Sequence, residues 1–168
     1  MEIYIRPIDI PDALTVMHWE NNPDNWEASD NKGEYALYDI VRMIEESMNI
    51  HKIRQGRWMI CDKSNDELIG TTDLFDIDFE KGEATVGVLV AEKDNRQKGI
   101  AYYAVKLLEK EAEKLGISRL KCAIHPKNSP SVRLFEKLDF VKIGETEQEF
   151  SHEGEYLQAS IYEKWLKK

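Results

Sequence analysis

Residues 88–101 decide the fold of this 168-residue chain and read Val88-Leu89-Val90-Ala91-Glu92-Lys93-Asp94-Asn95-Arg96-Gln97-Lys98-Gly99-Ile100-Ala101. The apolar start of this stretch predicts a buried β-strand, the polar centre predicts a short loop, and the glycine predicts the start of an amphipathic helix. Several backbone N–H groups therefore converge at a helix N-terminus, where the helix dipole adds partial positive charge. This geometry favours the binding of a phosphate group.

The loop alone leaves two interpretations open. A pair such as Lys98-Gly99 also occurs in plain helix-entry turns that bind nothing. The double-glycine spacing of a P-loop is absent, and no G-x-G-x-x-G fingerprint follows a strand. ATP and NAD are therefore disfavoured as ligands, while a phosphate-bearing ligand of another kind remains open.

Composition predicts an ordinary globular chain, with 42% hydrophobic and 33% charged residues, and we expect one domain over residues 1–168. No apolar run is long enough to span a membrane, and the first residues do not resemble a secretory signal, so a cytoplasmic protein without membrane contacts is expected. Cys61 and Cys122 lie in apolar runs and are expected to be buried reduced thiols. The four histidines, at positions 18, 51, 125 and 152, lack metal-ligand spacing, so no metal is expected.

Charge is distributed unevenly along the chain. The net charge of −9 argues against a nucleic-acid partner. Residues 1–50 hold eleven acids and three bases, giving −8, whereas residues 91–140 hold eleven bases and seven acids, giving +4. The second half therefore favours an anion and the first half a cation, unless both runs are simply solvated faces.

The hydrophobic pattern predicts an α/β chain. Expected strands cover residues 3–6, 57–61, 67–77, 84–90, 120–124, 140–143 and 158–162, and expected helices run from an Asp9 cap to Trp19, over 35–48, over 99–115 and from a Ser129 cap onward. The strand, helix and strand between residues 84 and 124 form a crossover, so these two strands are expected to be parallel neighbours in an otherwise antiparallel sheet. Ligands bind where such neighbours diverge.

Two segments carry a family resemblance. Residues 96–101 resemble the Q/R-x-x-G-x-G/A signature of the GCN5-related N-acetyltransferase (GNAT) family, and residues 86–90 resemble the strand that precedes it. Residues 128–140, which read Asn-Ser-Pro-Ser-Val-Arg-Leu-Phe-Glu-Lys-Leu-Asp-Phe, are similar to the family segment N-x-x-A/S-x-x-L-Y-E-K-L-G-F. The resemblance runs almost end to end and is to the branch of ribosomal-protein N-terminal and spermidine acetyltransferases. It implies a mixed, mostly antiparallel, twisted sheet of about seven strands, with a splayed parallel pair at its centre and about four flanking helices.

The resemblance also implies that acetyl-CoA, as the cosubstrate, lies between strands 84–90 and 120–124. Backbone groups of Val88, Leu89 and Val90 are expected to bond the pantetheine like an added strand. The pyrophosphate is then held by the loop of Arg96, Gln97, Lys98, Gly99, Ile100 and Ala101, and the opposite wall is lined by Asn128 and Ser131. Arg133 or Lys137 either reaches the outer phosphate or lies on a solvated helix face.

Direct attack of a neutral amine on the thioester is the reaction that the resemblance implies. Many relatives place a tyrosine, the acid for the leaving thiolate, where this chain has Phe135. The donor is then Tyr102, Tyr103 or water, or the thiolate leaves unassisted, or the domain binds CoA as a sensor or scaffold with little turnover.

Two strand carboxylates are candidate catalytic groups. Asp73 aligns with an acidic substrate-site position of spermidine acetyltransferases, and Glu83 shares a strand face with Thr85, where some relatives carry a glutamate. The alternative interpretation is that both are solvated strand carboxylates without a functional role.

The acceptor is expected to be a cationic primary amine, either polyamine-like or a peptide N-terminus. The region that shapes the acceptor pocket in this family is acidic here, through Glu20, Asp24, Glu27, Asp30 and Glu34. Trp19 and Trp26 either stack on the acceptor or belong to the core. A closing strand followed by Trp165-Leu166 suggests a possible homodimer.

Overall fold

The computed structural model describes residues 1–26 and 34–167. Seven strands and five α-helices are present in these residues: β1 (Ile3–Pro7), α1 (Ala13–Asn21), α2 (Leu37–Ser47), α3 (Ile50–Ile53), β2 (Gly56–Asp62), β3 (Leu68–Asp78), β4 (Glu83–Val90), α4 (Ile100–Lys114), β5 (Arg119–Ile124), α5 (Ser129–Lys137), β6 (Val141–His152) and β7 (Glu155–Trp165). Short 3₁₀ turns occupy residues 10–12, 23–25 and 93–95. Among the described helices, none is long and apolar enough to cross a membrane.

One sheet contains all seven described strands, in the order β1-β2-β3-β4-β5-β7-β6. β4 and β5 are parallel, and every other neighbouring pair is antiparallel. The parallel pairing covers only residues 83–85 against 119–121, so the two strands diverge toward their carboxyl ends. The predicted mixed sheet with a splayed parallel pair at its centre is confirmed.

The helices cover the two faces of this sheet. Leu108 of α4 packs with Val86 of β4 in one buried cluster. On the opposite face, Val16 of α1 and Ile44 of α2 pack with Met59 of β2 in a second cluster. Successive side chains of a strand point to opposite faces, so every second residue of a strand lies on the same face of the sheet. The face under α1 and α2 is the one that carries the polar groups described below.

Several element boundaries differ from the prediction. The closing strands are 12 and 11 residues long, longer than predicted. The sequence underestimates β6 because most of its side chains are exposed and lack the apolar alternation that marks a half-buried strand. Asp9 caps the 3₁₀ turn before α1 rather than α1 itself, and α5 is capped by Asn128 rather than Ser129. The four-residue helix α3 raises the helix count above the expected four. Cys61 and Cys122 are buried free thiols, as predicted.

Candidate active site

The crevice begins where β4 leaves β5. The last parallel pair is Thr85 with Lys121, and beyond it the edge of β4 that faces β5 has no strand partner among the described residues. Val88, Leu89 and Val90 lie on this open stretch, and their other edge is paired with β3. An extended ligand that carries amide groups can add to such an edge as a further strand.

The loop before α4 leaves backbone donors free of a capping side chain. Gln97 has φ +60° and Gly99, the N-cap of α4, has φ +83°. Among residues 1–26 and 34–167 no side chain caps this helix end, so the first N–H groups of α4 point out of the helix without a side-chain partner there. Of the described atoms, a Cβ placed on Gly99 would meet only ring atoms of Tyr103, at 3.7 and 4.0 Å, so a ligand has room to approach the backbone. These features fit a pyrophosphate group.

Arg96 lies beside this loop, but its guanidinium already has protein partners. Its Nε donates to the carbonyl oxygen of Val90 at 2.9 Å, and its Nη2 donates to Oδ1 of Asn25 at 2.7 Å. Asn25 is buried and donates in turn to the carbonyl oxygen of Trp19. Arg96 therefore joins the end of β4 to the segment after α1, whereas Lys98 is exposed at the loop. A direct phosphate contact of Arg96 stays a prediction.

The opposite wall begins at the end of β5. Asn128 accepts from the backbone N–H of Ser131 through Oδ1 at 3.4 Å, which caps α5 and leaves its side-chain NH₂ facing away from the helix N–H groups. Just before it, the buried His125 accepts from the N–H of Lys127 at Nδ1, so its Nε2–H donates to the carbonyl oxygen of Glu155, each at 3.0 Å. These bonds fix the start of α5 against the β6–β7 hairpin, a structural role for His125.

Phe135 is part of the core. Its ring is 4% exposed and packs edge-to-face on Phe140, with ring centroids 5.0 Å apart. Tyr102 packs against the same cluster, and Nζ of Lys137 lies 4.9 Å from its ring centroid. Tyr103 is 59% exposed. Tyr102 is therefore the candidate proton donor with the more enclosed position, and Lys137 is held on its ring.

Glu83 lies at the closed end of the parallel pair. Its Oε2 accepts from Nη1 of Arg119 at 3.1 Å and faces Nζ of Lys121 at 3.4 Å. Arg119 also donates to Glu163 of β7 at 2.6 Å, so this ionic group links three strands. Four strand residues, about 13 Å, separate Glu83 from the Gly87 position opposite Asp73. The structure does not bring the two predicted carboxylates together.

Asp73 lies at the open end. In the sheet it pairs with Arg57 on one side and Gly87 on the other. A Cβ placed on Gly87 would be 3.7 Å from Oδ2 of Asp73, so the carboxylate covers the β4 backbone at Gly87. This position is two residues beyond Thr85, which forms the last parallel pair with β5. This carboxylate is therefore at the mouth of the crevice, on the face covered by α1 and α2.

Arg57 holds Asp73 and a second carboxylate. It donates to Asp73 from Nε at 2.9 Å and from Nη2 at 3.1 Å, and its Nη1 donates to Oε1 of Glu20 on α1 at 3.1 Å. The side chains of Glu20, Arg57 and Asp73 are 10%, 20% and 23% exposed. We call these three residues the Arg57 cluster. Two carboxylates and one guanidinium give it a net charge of −1 when all three are ionised.

Burial and charge act on Asp73 in opposite directions. Burial raises its pKa, Arg57 lowers it, and Glu20 raises it again, with the result that the pKa lies above the ordinary aspartate value. Burial alone lowers the pKa of Arg57, but Asp73 and Glu20 raise it above its ordinary value, so the guanidinium stays charged. Asp73 is thus a carboxylate with increased proton affinity beside a fixed cation.

Sequence reasoning missed Arg57. The available signal was an arginine at the start of an otherwise apolar strand, Trp58-Met59-Ile60-Cys61, a position where a charge requires a partner. The identity of that partner depends on the β2–β3 register, which residue types alone do not reveal.

Of the five acidic residues predicted to lie near the acceptor, Glu20 is the one that the structure places in the Arg57 cluster. Asp24 faces Nζ of Lys93 at 3.5 Å and Glu34 is exposed, while Glu27 and Asp30 lie outside the described residues. Trp19 is buried in the cluster under α1 and α2, which confirms the core interpretation. Trp26 donates from its indole to the carbonyl oxygen of Glu20 at 3.0 Å.

The described parts of the chain contain no group of three or more His, Cys, Asp or Glu side chains arranged to hold a metal ion. Burial raises the pKa of the Cys122 thiol to about 12, so this cysteine is not a nucleophile at neutral pH. The crevice combines an open strand edge, a helix N-terminus and the Arg57 cluster.

Known proteins share both the sequence pattern and the fold. The chain is 33% identical over 107 residues to the uncharacterized N-acetyltransferase p20 of Bacillus licheniformis, an alignment over 63% of this chain that spans only 58% of that relative's length. The fold is shared with spermidine N-acetyltransferase from Vibrio cholerae in complex with CoA and spermine (TM-score 0.82, 19% identity, 97% of this chain and 95% of that one). It is also shared with ribosomal-protein-S5-alanine acetyltransferase from Vibrio fischeri (TM-score 0.82, 22% identity, 98% and 93%).

Residues 2–141 match the acetyltransferase (GNAT) domain. This match contains the whole of β4, the loop before α4 and the Arg57 cluster, and it ends at the first residue of β6. The resemblance noted in the sequence is thereby confirmed, and the chain belongs to the GNAT acetyltransferase family.

Proposed function

We propose that the protein is an acetyl-CoA-dependent N-acetyltransferase whose acceptor is a cationic primary amine. The observation that carries this proposal is the position of the Asp73 carboxylate over Gly87, where the free edge of β4 begins. Cosubstrate groups and a proton acceptor then meet at one point of the sheet.

The cosubstrate side consists mainly of backbone. The N–H groups at the start of α4 bind the pyrophosphate of acetyl-CoA, and Lys98 adds positive charge. The open edge of β4 from Val88 to Val90 binds the pantetheine, and an amide of this strand polarises the thioester carbonyl. Asn128 and Ser131 line the facing wall.

The acceptor side supplies the base. An ammonium group loses one proton to the Asp73 carboxylate, and the nitrogen lone pair then attacks the thioester carbonyl carbon. A C–N bond forms, the C–S bond breaks, and the thiolate receives a proton from Tyr102 or from water, because Phe135 has none to donate. A second proton leaves the nitrogen for solvent and the amide keeps the third. Asp73 gives its proton to solvent and Tyr102, if it was the donor, is reprotonated from solvent, so the products are an amide and CoA.

Charge supports a cationic acceptor. The Arg57 cluster has a net charge of −1 and lies in a chain whose first 50 residues carry a net charge of −8. Such a field raises the local concentration of cations. A polyamine-like compound and a peptide N-terminal amine both have the required ammonium group.

Release of the CoA thiol from acetyl-CoA, measured with spermidine, short peptides and simple amines, tests the proposal. We expect release that depends on an added cationic amine. Tight CoA binding without amine-dependent release would contradict the enzyme and favour the second candidate, a CoA-binding sensor or scaffold. The burial of Phe135 at the position of the usual acid is the observation that favours this alternative.

A further inference from the structure

Arg57 of β2 connects its own strand with β3 and α1 on the proposed acceptor side. It binds Asp73 on β3 with two hydrogen bonds and Glu20 on α1 with a third. A bidentate arginine fixes the plane of a carboxylate as well as its position. The orientation of Asp73 over Gly87 therefore depends on a side chain that has no place in the chemistry itself.

The groups that face Asp73 have opposite electrostatic effects. Arg57 of β2 favours its ionised form, and Glu20 of α1 favours its protonated form. The adjoining positions of β3 and β4 on this face are Thr71, Phe75 and Gly87, which carry no charge. The charge state of Asp73 thus depends on two neighbours whose removal has opposite consequences.

From this arrangement we infer that Arg57 and Glu20 are positioning residues, which orient Asp73 and set its affinity for the proton of the acceptor amine. This inference rests on the proposed function, because it assigns Asp73 the role of base. It adds that the base is tuned by a pair of side chains outside the reacting atoms. Glu20 is thereby more than a generic acidic group near an acceptor.

The pH dependence of kcat/KM, measured with one amine for all variants, tests this inference. Its acid limb reports the ionisation of the base in the free enzyme. Glu20→Gln removes a charge that favours the protonated form, so the limb moves to lower pH. Arg57→Met removes the opposing charge, so the limb moves to higher pH and kcat/KM at neutral pH falls by about 10²-fold. Arg57→Lys keeps the charge but not the bidentate geometry, and its limb lies between those of the wild type and Arg57→Met.

Glu109→Gln is the matched control. Glu109 lies on α4, away from the crevice, and is also a buried carboxylate, with its side chain 8% exposed. It forms a salt bridge with Lys164 of β7 at 2.8 Å. Glu109→Gln also removes a carboxylate partner from a mostly buried cation, but we expect the acid limb to stay where it is in the wild type. Glu20→Gln keeps the test decisive if Arg57→Met does not fold.

Titration of the Asp73 carboxyl carbon by NMR separates the two proposals. It is carried out on the free wild-type protein, Glu20→Gln and Glu109→Gln. We expect the Asp73 midpoint to fall in Glu20→Gln only. An unchanged midpoint and an unchanged acid limb in Glu20→Gln would overturn the inference while leaving an active wild type as an acetyltransferase. A wild type that acetylates no amine overturns the proposed function, and the carboxyl titration then still decides whether the pair controls Asp73.

Discussion

The two sides of the crevice are built from different parts of the chain. The proposed cofactor side consists of the open edge of β4 and the helix N-terminus after Gly99, within one continuous stretch of sequence. The proposed acceptor side consists of three side chains, Glu20, Arg57 and Asp73, which come from α1, β2 and β3. A local backbone site can be recognised in a sequence, whereas a site assembled from distant side chains requires the sheet register.

Substitution of Gly99 tests the cofactor side and has the largest expected effect. Gly99→Glu places a side chain at φ +83° and a negative charge at the proposed phosphate site. Like charges at such a contact cost several kcal/mol, so CoA affinity, measured by calorimetry, is expected to fall more than about 10²-fold.

Gly116→Glu is the matched control for this change. Gly116 follows the other end of α4 with φ +80°, and no atom in the described part of the chain lies within 4 Å of an added Cβ. It carries the same strain and the same charge, and we expect CoA affinity to remain near that of the wild type. Equal losses in the two variants would show that the loop before α4 is not the phosphate site.

Two arginine–carboxylate pairs, Arg6 with Asp12 and Arg57 with Asp73, are expected to respond to pH with opposite sign. Asp12 accepts two bonds from Arg6, at 2.7 and 2.8 Å, and despite its burial the bonds from Arg6 and from the Asp9 N–H hold its pKa below the ordinary 3.8. Asp73 has its pKa raised above 3.8 by burial, with Arg57 opposing. The contribution of Asp12 to stability is therefore present above pH 3.8 and is lost as the pH falls through its lowered value, whereas the contribution of Asp73 decreases as the pH rises through its raised value.

Urea unfolding of Asp12→Asn and Asp73→Asn over a pH series measures this difference. Asp12→Asn is expected to lower the free energy of unfolding by about 2 kcal/mol at neutral pH, and by less in acid. The stability difference between wild type and Asp73→Asn is expected to decrease as pH rises. Parallel pH slopes for the two variants would show that the Arg57 cluster is an ordinary structural ion pair.

Arg96 tests whether the two sides are independent, with a smaller expected effect. It joins the end of β4 to Asn25, in the segment after α1. Arg96→Ala is expected to raise both the Kd for CoA and the KM for the amine, each by about tenfold, the equivalent of one lost charged hydrogen bond. Lys98→Ala, at an exposed loop position, is expected to weaken CoA binding only a few-fold, with a salt dependence, and to leave the amine KM unchanged. An unchanged amine KM in Arg96→Ala would contradict the connection between the sides.

The fold was predictable where sequence neighbours determine the structure. The apolar run of residues 84–90, the glycine before α4 and the crossover to residues 120–124 predicted the splayed pair correctly. The full length of β6 was not predictable, because its mostly exposed side chains carry no periodic apolar signal. Arg96 was predicted as a phosphate ligand from its place in the motif, but its partners Val90 and Asn25 are set by tertiary packing.

The candidate carboxylates show the same limit. Both Asp73 and Glu83 are candidates in the sequence, Asp73 by its alignment with spermidine acetyltransferases and Glu83 by the strand face it shares with Thr85. The pairing of β4 with β5 separates them, because Glu83 is bonded to Arg119 at the closed end while Asp73 covers Gly87 at the open end. Register and splay, rather than residue type, distinguish an ionic link from a candidate base.

The most direct test of the division between cofactor and acceptor sides is the steady-state kinetics and CoA affinity of Asp73→Asn beside the wild type. The substitution keeps the shape of the side chain and removes its ability to take a proton. We predict that kcat/KM for a cationic amine falls by about 10²-fold or more while the Kd for CoA is unchanged. Amine acetylation at the wild-type rate, or a comparable loss of CoA affinity, would contradict the account.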